Sequence, residues 1–305
     1  MISSSCKQFK TGDGGLQYKI VKDAGAPKAQ TGDVLSVHMH VVTDRDSTLD
    51  NTNDRALPSI IQIYDSTNPQ AYPGDYNTMF SMLGEGDSAV FKLDLDTMAS
   101  RTGQPKPEFA DKYIIFKVKV NKVFAKGDLT DSVMSETVNT YYEGLINTLK
   151  ENEQDRIDAY ISKNKLKTIK TASGLQYIIE KEGEGEKITP GDSAVVNYTG
   201  GVIGGKVFDT SVKEVAEKEN IFNSMRTYEP ATFPVGINMS IPGFDEGLLL
   251  MNKGSKFKLI IPSVLGYGES GYPGAKIPHY APLVFDVELL DIKKGVPPAP
   301  TVEQP

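Results

Sequence analysis

The chain has 305 residues, long enough for two domains that each bury a core. Its net charge of -7 argues against nucleic-acid binding, which needs a concentrated basic face. No apolar run is long enough to span a bilayer, and the single cysteine excludes a disulfide framework and a CxxC redox or zinc site.

The N-terminal tether, residues 1–10, contains that cysteine. Cys6 follows three serines in "SSSCK", which resembles the lipidation site of bacterial lipoproteins, although no charged start and apolar stretch of a signal peptide precede it. The resemblance predicts a lipid anchor, which is the one membrane contact we expect, and a place in the bacterial cell envelope, in the periplasm or at the outer membrane. The alternatives are a cysteine without a function in a polar tail and a cytoplasmic protein.

An internal repeat organises the rest of the chain. The sequence "GLQYKI" at 15–20 recurs as "GLQYII" at 174–179, and "TGDVLSV" at 31–37 recurs as "PGDSAVV" at 190–196. Both copies contain short alternating strands between Gly, Pro and Asp turns. The sequence therefore predicts two homologous domains, at 11–125 and 168–293.

The segment between the copies, 126–167, has helical periodicity instead. Val138, Tyr142, Leu145 and Leu149 fall on one face of a helix, and a break is expected near 151–154. This apolar face must pack on a domain of the same chain or on a second copy, which would make a homodimer. After the second copy, residues 294–305 are rich in proline and are predicted to be disordered.

The stretch "GYGESG" at 266–271 matches the G-x-G-x-x-G pattern of a dinucleotide-binding turn. That turn needs a helix after its glycines, because the helix N-terminus binds the pyrophosphate. Pro273, Pro278 and Pro282 follow instead and exclude a helix. We therefore expect no nucleotide here.

Together with the strand that follows it, this stretch is "GYGESGYPGAKIPHYAPLVFDVELL". It is preceded by "VVNYTG", "GKVFDTS", "ATFPVG" and "SIPGFDEGLLLMNKGSKFKLIIP". Together these motifs resemble the signature of FKBP-type peptidyl-prolyl isomerases over about 168–293, including bacterial lipoprotein members. The resemblance implies an α+β fold, in which each domain is a twisted antiparallel sheet wrapped around a short helix, and the two domains are joined by the helical connector. Residues 243–251 would supply the helix of the second domain.

The resemblance also implies the activity. An FKBP-type isomerase accelerates rotation about X-Pro bonds of folding proteins without a cofactor or a metal. Its partners would be proline-containing polypeptides, and macrolide-type inhibitors would bind the same pocket.

The matching positions carry the family's site residues over to this chain. Tyr267 would offer its hydroxyl to a substrate carbonyl, Ile241 its backbone N–H, and Asp209 would accept from the hydroxyl of Tyr198. The residues with an implied catalytic role are Tyr198, Asp209, Tyr267 and Phe285. Those with an implied role in binding substrate are Phe208, Phe233, Ile241, Phe244, Ile277 and Tyr272.

The second copy departs from the family pattern in two places. The position at the entry of the short helix, usually Trp, is Phe244, which makes a smaller pocket floor that would lower or redirect activity. The connection 210–232 is longer than usual, and Val212, Val215 and Ala216 predict a short helix in it. This insertion either contacts substrate beside the proline or has no part in binding.

The first copy lacks much of the implied pocket. Met39 stands at the position of Tyr198 and Leu49 at that of Phe208, and the position of Tyr267 falls near Arg101. The aspartate and one phenylalanine are kept as Asp50 and Phe116, and the helix-entry position falls near Tyr76. We expect this domain to bind unfolded chains or a partner without isomerising them. The alternative for the whole chain is a chaperone or adaptor with two isomerase-like folds and no catalysis.

No metal site is expected. His38 and His40 lie two residues apart, so that on a strand they face the same side, but no third or fourth ligand is evident. A pair of surface histidines explains them.

Overall fold

The structure is a computed structural model that describes residues 8–65 and 71–295. Cys6 and residues 296–305 of the proline-rich tail lie outside these ranges, so that the predictions made for them stay predictions. The chain divides into two compact units, Met1–Leu145 and Ile146–Pro305.

The first unit is built on an antiparallel sheet of seven strands in the order β1-β2-β6-β7-β3-β4, with β5 paired to the start of β3. The strands are β1 Lys10–Thr11, β2 Gln17–Lys22, β3 Val34–Thr43, β4 Thr48–Asn51, β5 Ser59–Gln62, β6 Ser88–Asp94 and β7 Tyr113–Phe124. Its helices are α1 Tyr76–Ser81, α2 Leu95–Thr102 and the first part of α3 Asp131–Glu151.

The second unit repeats this sheet with the order β11-β10-β14-β13-β9-β8, and β12 pairs with the start of β10. Its strands are β8 Ile169–Lys170, β9 Gln176–Lys181, β10 Ser193–Val202, β11 Val207–Thr210, β12 Ala231–Pro234, β13 Lys256–Ile261 and β14 Leu283–Lys293. Its helices are the end of α3, α4 Glu153–Lys163, α5 Lys213–Lys218 and α6 Pro242–Leu249.

Helix α6 lies close against the second sheet because glycines face it. A Cβ atom at Gly247 would lie 2.4 Å from Cδ1 of Leu259, and one at Gly243 would lie 2.5 Å from Cγ2 of Ile261. Leu248 and Leu259 are fully buried in the core between helix and sheet. The predicted fold class, α+β with two sheets that each carry a short helix, is confirmed.

The connector forms two helices, α3 and α4, which are separated at Asn152. In α3, Met134 and Val138 are buried against Val34 and Phe124 of the first unit. The other residues of the predicted stripe are half-buried: Tyr142, Leu145 and Leu149. The packed face therefore includes Val138 of the predicted stripe and extends one turn earlier, to Met134. No helix in the described ranges is long and apolar enough to cross a membrane.

Asp192, in the turn before β10, holds this turn to the end of the second sheet. It accepts from the Thr189 hydroxyl at 2.8 Å and from Nζ of Lys294 at 3.1 Å. The Thr189 hydroxyl is the main cause that lowers the pKa of Asp192 from 3.8 to about 2. Because the folded pKa is the lower one, the stabilisation is present above the unfolded value and is lost as the pH falls towards 2.

We therefore expect the free energy of unfolding to fall between about pH 4 and pH 2 more steeply in the wild type than in Asp192→Asn. Urea unfolding followed by circular dichroism at a series of pH values measures this. The exposed Asp155→Asn variant is the control and should follow the wild type. Equal slopes in the wild type and Asp192→Asn would contradict the assignment.

Candidate active site

Five aromatic rings meet in the second unit, each from a different element. The Phe244 ring of α6 lies 5.2 Å from Phe233 of β12 and 5.1 Å from Phe285 of β14, centroid to centroid. Tyr198 of β10 packs edge-on against Phe233 at 5.6 Å, and Phe208 of β11 packs edge-on against Phe285 at 5.8 Å. Tyr198, Phe244 and Phe285 are buried, whereas Phe208 and Phe233 are half-buried. The cluster is thus an apolar floor with two partly exposed walls.

A glycine in β10 makes room for two of these rings. Gly200 pairs with Phe285 across the sheet. A Cβ atom at position 200 would lie 2.5 Å from Cε1 of Phe285 and 3.0 Å from Cζ of Phe208, closer than carbon atoms pack. The two rings therefore occupy the space that any other residue at this position would fill.

A polar group formed by Tyr198, Asp209 and Arg226 adjoins the aromatic cluster. The Tyr198 hydroxyl donates to Oδ2 of Asp209 at 2.6 Å, and Nη2 of Arg226 lies 3.1 Å from that hydroxyl oxygen. Nη1 of Arg226 donates to Oδ1 of Asp209. Burial, together with the hydrogen bond to Asp209, raises the pKa of Tyr198 to about 12, and the same carboxylate raises the pKa of Arg226. Both carboxylate oxygens of Asp209 therefore accept hydrogen bonds, one from Tyr198 and one from Arg226.

Sequence reasoning did not single out Arg226. It lies in the insertion 210–232, where the predicted short helix is α5. After α5 the Phe222 and Tyr228 rings stack at 5.4 Å, and the Arg226 guanidinium lies 5.5 Å from the Tyr228 ring centre. One signal was available, since Arg226 is the only arginine between 168 and 293. The insertion therefore contributes a side chain to the site, although the spacing did not predict which one.

The loop 266–282 supplies three of the four remaining implied residues. Tyr267 stacks on Tyr272 with ring centres 5.4 Å apart, and the backbones of Tyr272 and Ile277 exchange hydrogen bonds of 2.9 and 3.0 Å. Ile277 is buried, and Tyr272 is half exposed. Burial, together with the negative charge of Asp209, raises the pKa of Tyr267.

Two hydrogen-bond donors at this site have no acceptor among the described residues. One is the Tyr267 hydroxyl. The other is the backbone N–H of Ile241, whose carbonyl caps α6 by accepting from Phe244 and Asp245 at 3.0 and 3.1 Å. The structure thus brings the ten implied residues into two neighbouring sets, the aromatic cluster with its polar group and the loop 266–282, with Ile241 at the entry of α6.

The first unit has a different arrangement at the equivalent positions. Met39 pairs with Val118 as Tyr198 pairs with Val287, so the two sheets share one register. The Tyr76 hydroxyl points to Sδ of Met39 at 3.7 Å, and its ring packs edge-on against Phe116 at 5.6 Å.

The same register places buried Val41 where the second unit has Gly200. Asp50 pairs with Arg55 at 2.8 Å, which parallels the pair of Asp209 and Arg226. Arg101 lies in α2 and not in a loop. The first unit therefore keeps the ion pair and fills the space of the pocket with its own side chains.

The two histidines of β3 have hydroxyl partners. Nδ1 of His38 lies 2.9 Å from Oγ1 of Thr52, and Nε2 of His40 lies 3.1 Å from Oγ1 of Thr48. In the described part of the chain, no three His, Cys, Asp or Glu side chains are grouped as metal ligands would be.

The candidate site is therefore an apolar cluster, set between a sheet and a short helix, beside two donors that have no acceptor among the described residues. Residues 184–290 match the family model described as FKBP-type peptidyl-prolyl cis-trans isomerase. The FKBP-type isomerase FkpA of Aeromonas hydrophila is 38% identical over 194 residues, which cover 60% of this chain and 66% of that protein. FkpA of Escherichia coli strain K12 is 44% identical over 140 residues, 46% of this chain and 44% of that protein.

Among solved structures, FkpA from Escherichia coli is 32% identical, with 54% of this chain and 74% of that chain covered and a TM-score of 0.38. The chain spans between 44% and 66% of the length of the two curated relatives. Through its second unit, the chain belongs to the FKBP-type peptidyl-prolyl cis-trans isomerase family, which confirms the resemblance found in the sequence.

Proposed function

We propose that the second unit accelerates cis-trans isomerisation of X-Pro bonds in folding proteins. The observation that carries this proposal is the aromatic cluster of Tyr198, Phe233, Phe244 and Phe285 beside two unengaged donors, the hydroxyl of Tyr267 and the N–H of Ile241. The match of residues 184–290 to the isomerase family supports it.

The chemistry needs no nucleophile. Rotation of an X-Pro bond passes through a twisted amide that has lost its resonance, and the barrier is about 18–20 kcal/mol. A site lowers this barrier when it binds the twisted amide more tightly than the planar one. The apolar rings would hold the prolyl ring away from water, which favours the less polar twisted amide.

The two donors would hold the peptide while the bond rotates. The Tyr267 hydroxyl and the Ile241 N–H would donate to carbonyl oxygens on either side of the rotating bond. The Tyr198 ring would be held in place by the hydrogen bond of its hydroxyl to Asp209. Arg226 also contacts this hydroxyl. In this arrangement all polar groups bind or orient the peptide, and none forms a covalent bond to it.

Tyr267→Phe should lower kcat/KM for prolyl isomerisation by about tenfold, because one hydrogen bond to the substrate is lost while the ring remains. A protease-coupled assay with a short prolyl peptide measures the rate. Tyr177→Phe removes the hydroxyl of a half-buried tyrosine of β9 that stacks on Phe257, outside the implied site; it is the matched control and should keep the wild-type rate. A wild type that does not exceed the uncatalysed rate would refute the isomerase proposal and favour the adaptor with two isomerase-like folds.

For the first unit we propose binding of unfolded chains without isomerisation. In this unit Val41 and the contact of Tyr76 with Met39 fill the space that the pocket has in the second unit. A separate cavity is lined by Ile60, Tyr64 and Tyr76, which each keep a third or more of their surface exposed. Exposed aromatic and aliphatic groups of this kind suit apolar segments of unfolded chains. Suppression of aggregation by a variant whose second-unit pocket is blocked tests this role.

The remaining parts of the proposal concern the setting of the chain. The limits 11–125, 126–167 and 168–293 are our domain boundaries. We place the protein in the bacterial cell envelope with a lipid on Cys6, and we include macrolide-type inhibitors among the ligands of the pocket. Half-buried Leu145 and Leu149 would pair two copies through α3, which a solution mass of twice the chain would support.

A further inference from the structure

Helix α4 lies outside the sequence region that matches the isomerase family, but it contacts the loop that carries Tyr267. Glu153, in the first turn of α4, accepts from the Ser263 hydroxyl at 2.7 Å through Oε2 and from the Ser263 backbone N–H through Oε1. Ser263 is 3% exposed and begins the short 3₁₀ turn Ser263–Leu265, which leads into the loop 266–282. A carboxylate of α4 therefore occupies both donors of the residue at the entry of that loop.

Ser263 in turn holds the two residues that flank Tyr267. Its carbonyl oxygen accepts from the backbone N–H groups of Gly266 and Gly268, both at 2.8 Å. This acceptor fixes the backbone on both sides of Tyr267, where Gly268 has a positive φ of 61° and glycine restricts its own backbone little. The position of Ser263 is thus transmitted directly to Tyr267.

A second contact from α4 reaches the other end of the loop. Nη2 of Arg156 donates to the carbonyl oxygen of Tyr280 at 2.6 Å and to that of Leu149 at 2.9 Å. The Tyr280 N–H donates to the carbonyl oxygen of Gly268 at 3.1 Å. Both contacts of α4 therefore end at Gly268, the residue after Tyr267.

The position of α4 is itself fixed by packing. Ile157, one residue after Arg156, is 1% exposed and packs with Ile203 and Ile260 of the second unit. The carboxylate of Glu153 lies at the helix N-terminus, where the helix dipole favours a negative charge. The two contacts are thus made by a helix that is anchored to the sheet independently of the loop.

We propose that Glu153 and Arg156 of α4 are positioning residues for catalysis, which hold the loop 266–282 so that the Tyr267 hydroxyl points into the prolyl pocket. This inference rests on the proposed isomerase function. It extends the working site to α4, which lies outside the residues 184–290 that match the family model and which the sequence marked only as a connector.

The test uses the full chain with Glu153→Ala, and hydrogen exchange of the loop is read separately from the rate. The amides of 263–282 should exchange at least about tenfold faster, while those of β13 and β14 keep their protection. Asp155→Ala is the matched control, since it removes a charge from the same first turn of α4 but lies exposed. It should leave loop exchange at the wild-type level, and Glu153→Gln, which keeps one acceptor, should restore most of the protection.

The rate provides the second measurement. Glu153→Ala should lower kcat/KM by about fivefold, because a small displacement of a positioned group is costly. In a Tyr267→Phe background it should add almost nothing, since both changes remove the same interaction. Any one of three results would overturn the proposal. These are a double variant in which the two losses multiply, unchanged loop exchange in Glu153→Ala, and faster exchange throughout the second unit. If the wild type shows no isomerase activity, the proposed function fails, and the loop exchange alone decides whether α4 positions the loop.

Discussion

Replacing Asp209 by alanine is expected to lower kcat/KM for prolyl isomerisation by about tenfold to a hundredfold. The substitution removes the acceptor of the Tyr198 hydroxyl and leaves the Arg226 guanidinium without its carboxylate at the edge of the apolar cluster. The two side chains are 40% and 36% exposed, so that water screens the unpaired charge and the loss of rate reports mainly the freed Tyr198 hydroxyl. The protease-coupled assay with a short prolyl peptide measures the change.

The first unit offers a matched control for this variant. Asp50 is the equivalent carboxylate and pairs with Arg55, so that Asp50→Ala breaks a comparable ion pair in the same chain. It should leave the rate at the wild-type level. A loss of rate in Asp50→Ala, or a wild-type rate in Asp209→Ala, would contradict the assignment of the active pocket to the second unit. Asp209→Asn, which still accepts from Tyr198, should lie between the alanine variant and the wild type.

Gly200→Val should abolish measurable isomerisation while the second unit still folds. The new side chain enters the space taken by the Phe285 and Phe208 rings, and these rings, being side chains, can move aside more easily than backbone. Overpacking of this kind costs about 1–3 kcal/mol in stability. The first unit already has valine at this position, Val41, in a sheet with the same register, so the backbone tolerates the residue.

The same variant separates the two proposed activities. If the first unit binds unfolded chains, Gly200→Val should lose the rate and keep its suppression of aggregation of an unfolded test protein. Circular dichroism of the variant checks that both sheets are retained, and Gly200→Ala provides a milder substitution if it is not folded. Retention of the full isomerase rate in a folded Gly200→Val would show that the space around Phe285 is not part of the pocket.

Much of the architecture could be predicted from local patterns. The repeated "GLQY" and "GD" motifs gave the two copies, alternation gave the strands, and the prolines after "GYGESG" excluded a nucleotide site. The aromatic set was also accessible, because its members lie on strands and a helix whose motifs match those of a family. The face by which α3 packs was less accessible, since it depends on Val34 and Phe124, which come earlier in the chain.

The sequence by itself determined the fold class and predicted two related domains and an aromatic set, because these depend on local patterns that repeat in order along the chain. Only the tertiary structure showed which residues outside the motifs contact this set and the loop 266–282. Arg226, which lies in the insertion 210–232, donates to Asp209, and Glu153 accepts from Ser263, a residue 110 positions away. Such contacts depend on how the elements pack, and no periodicity or spacing in the sequence records them.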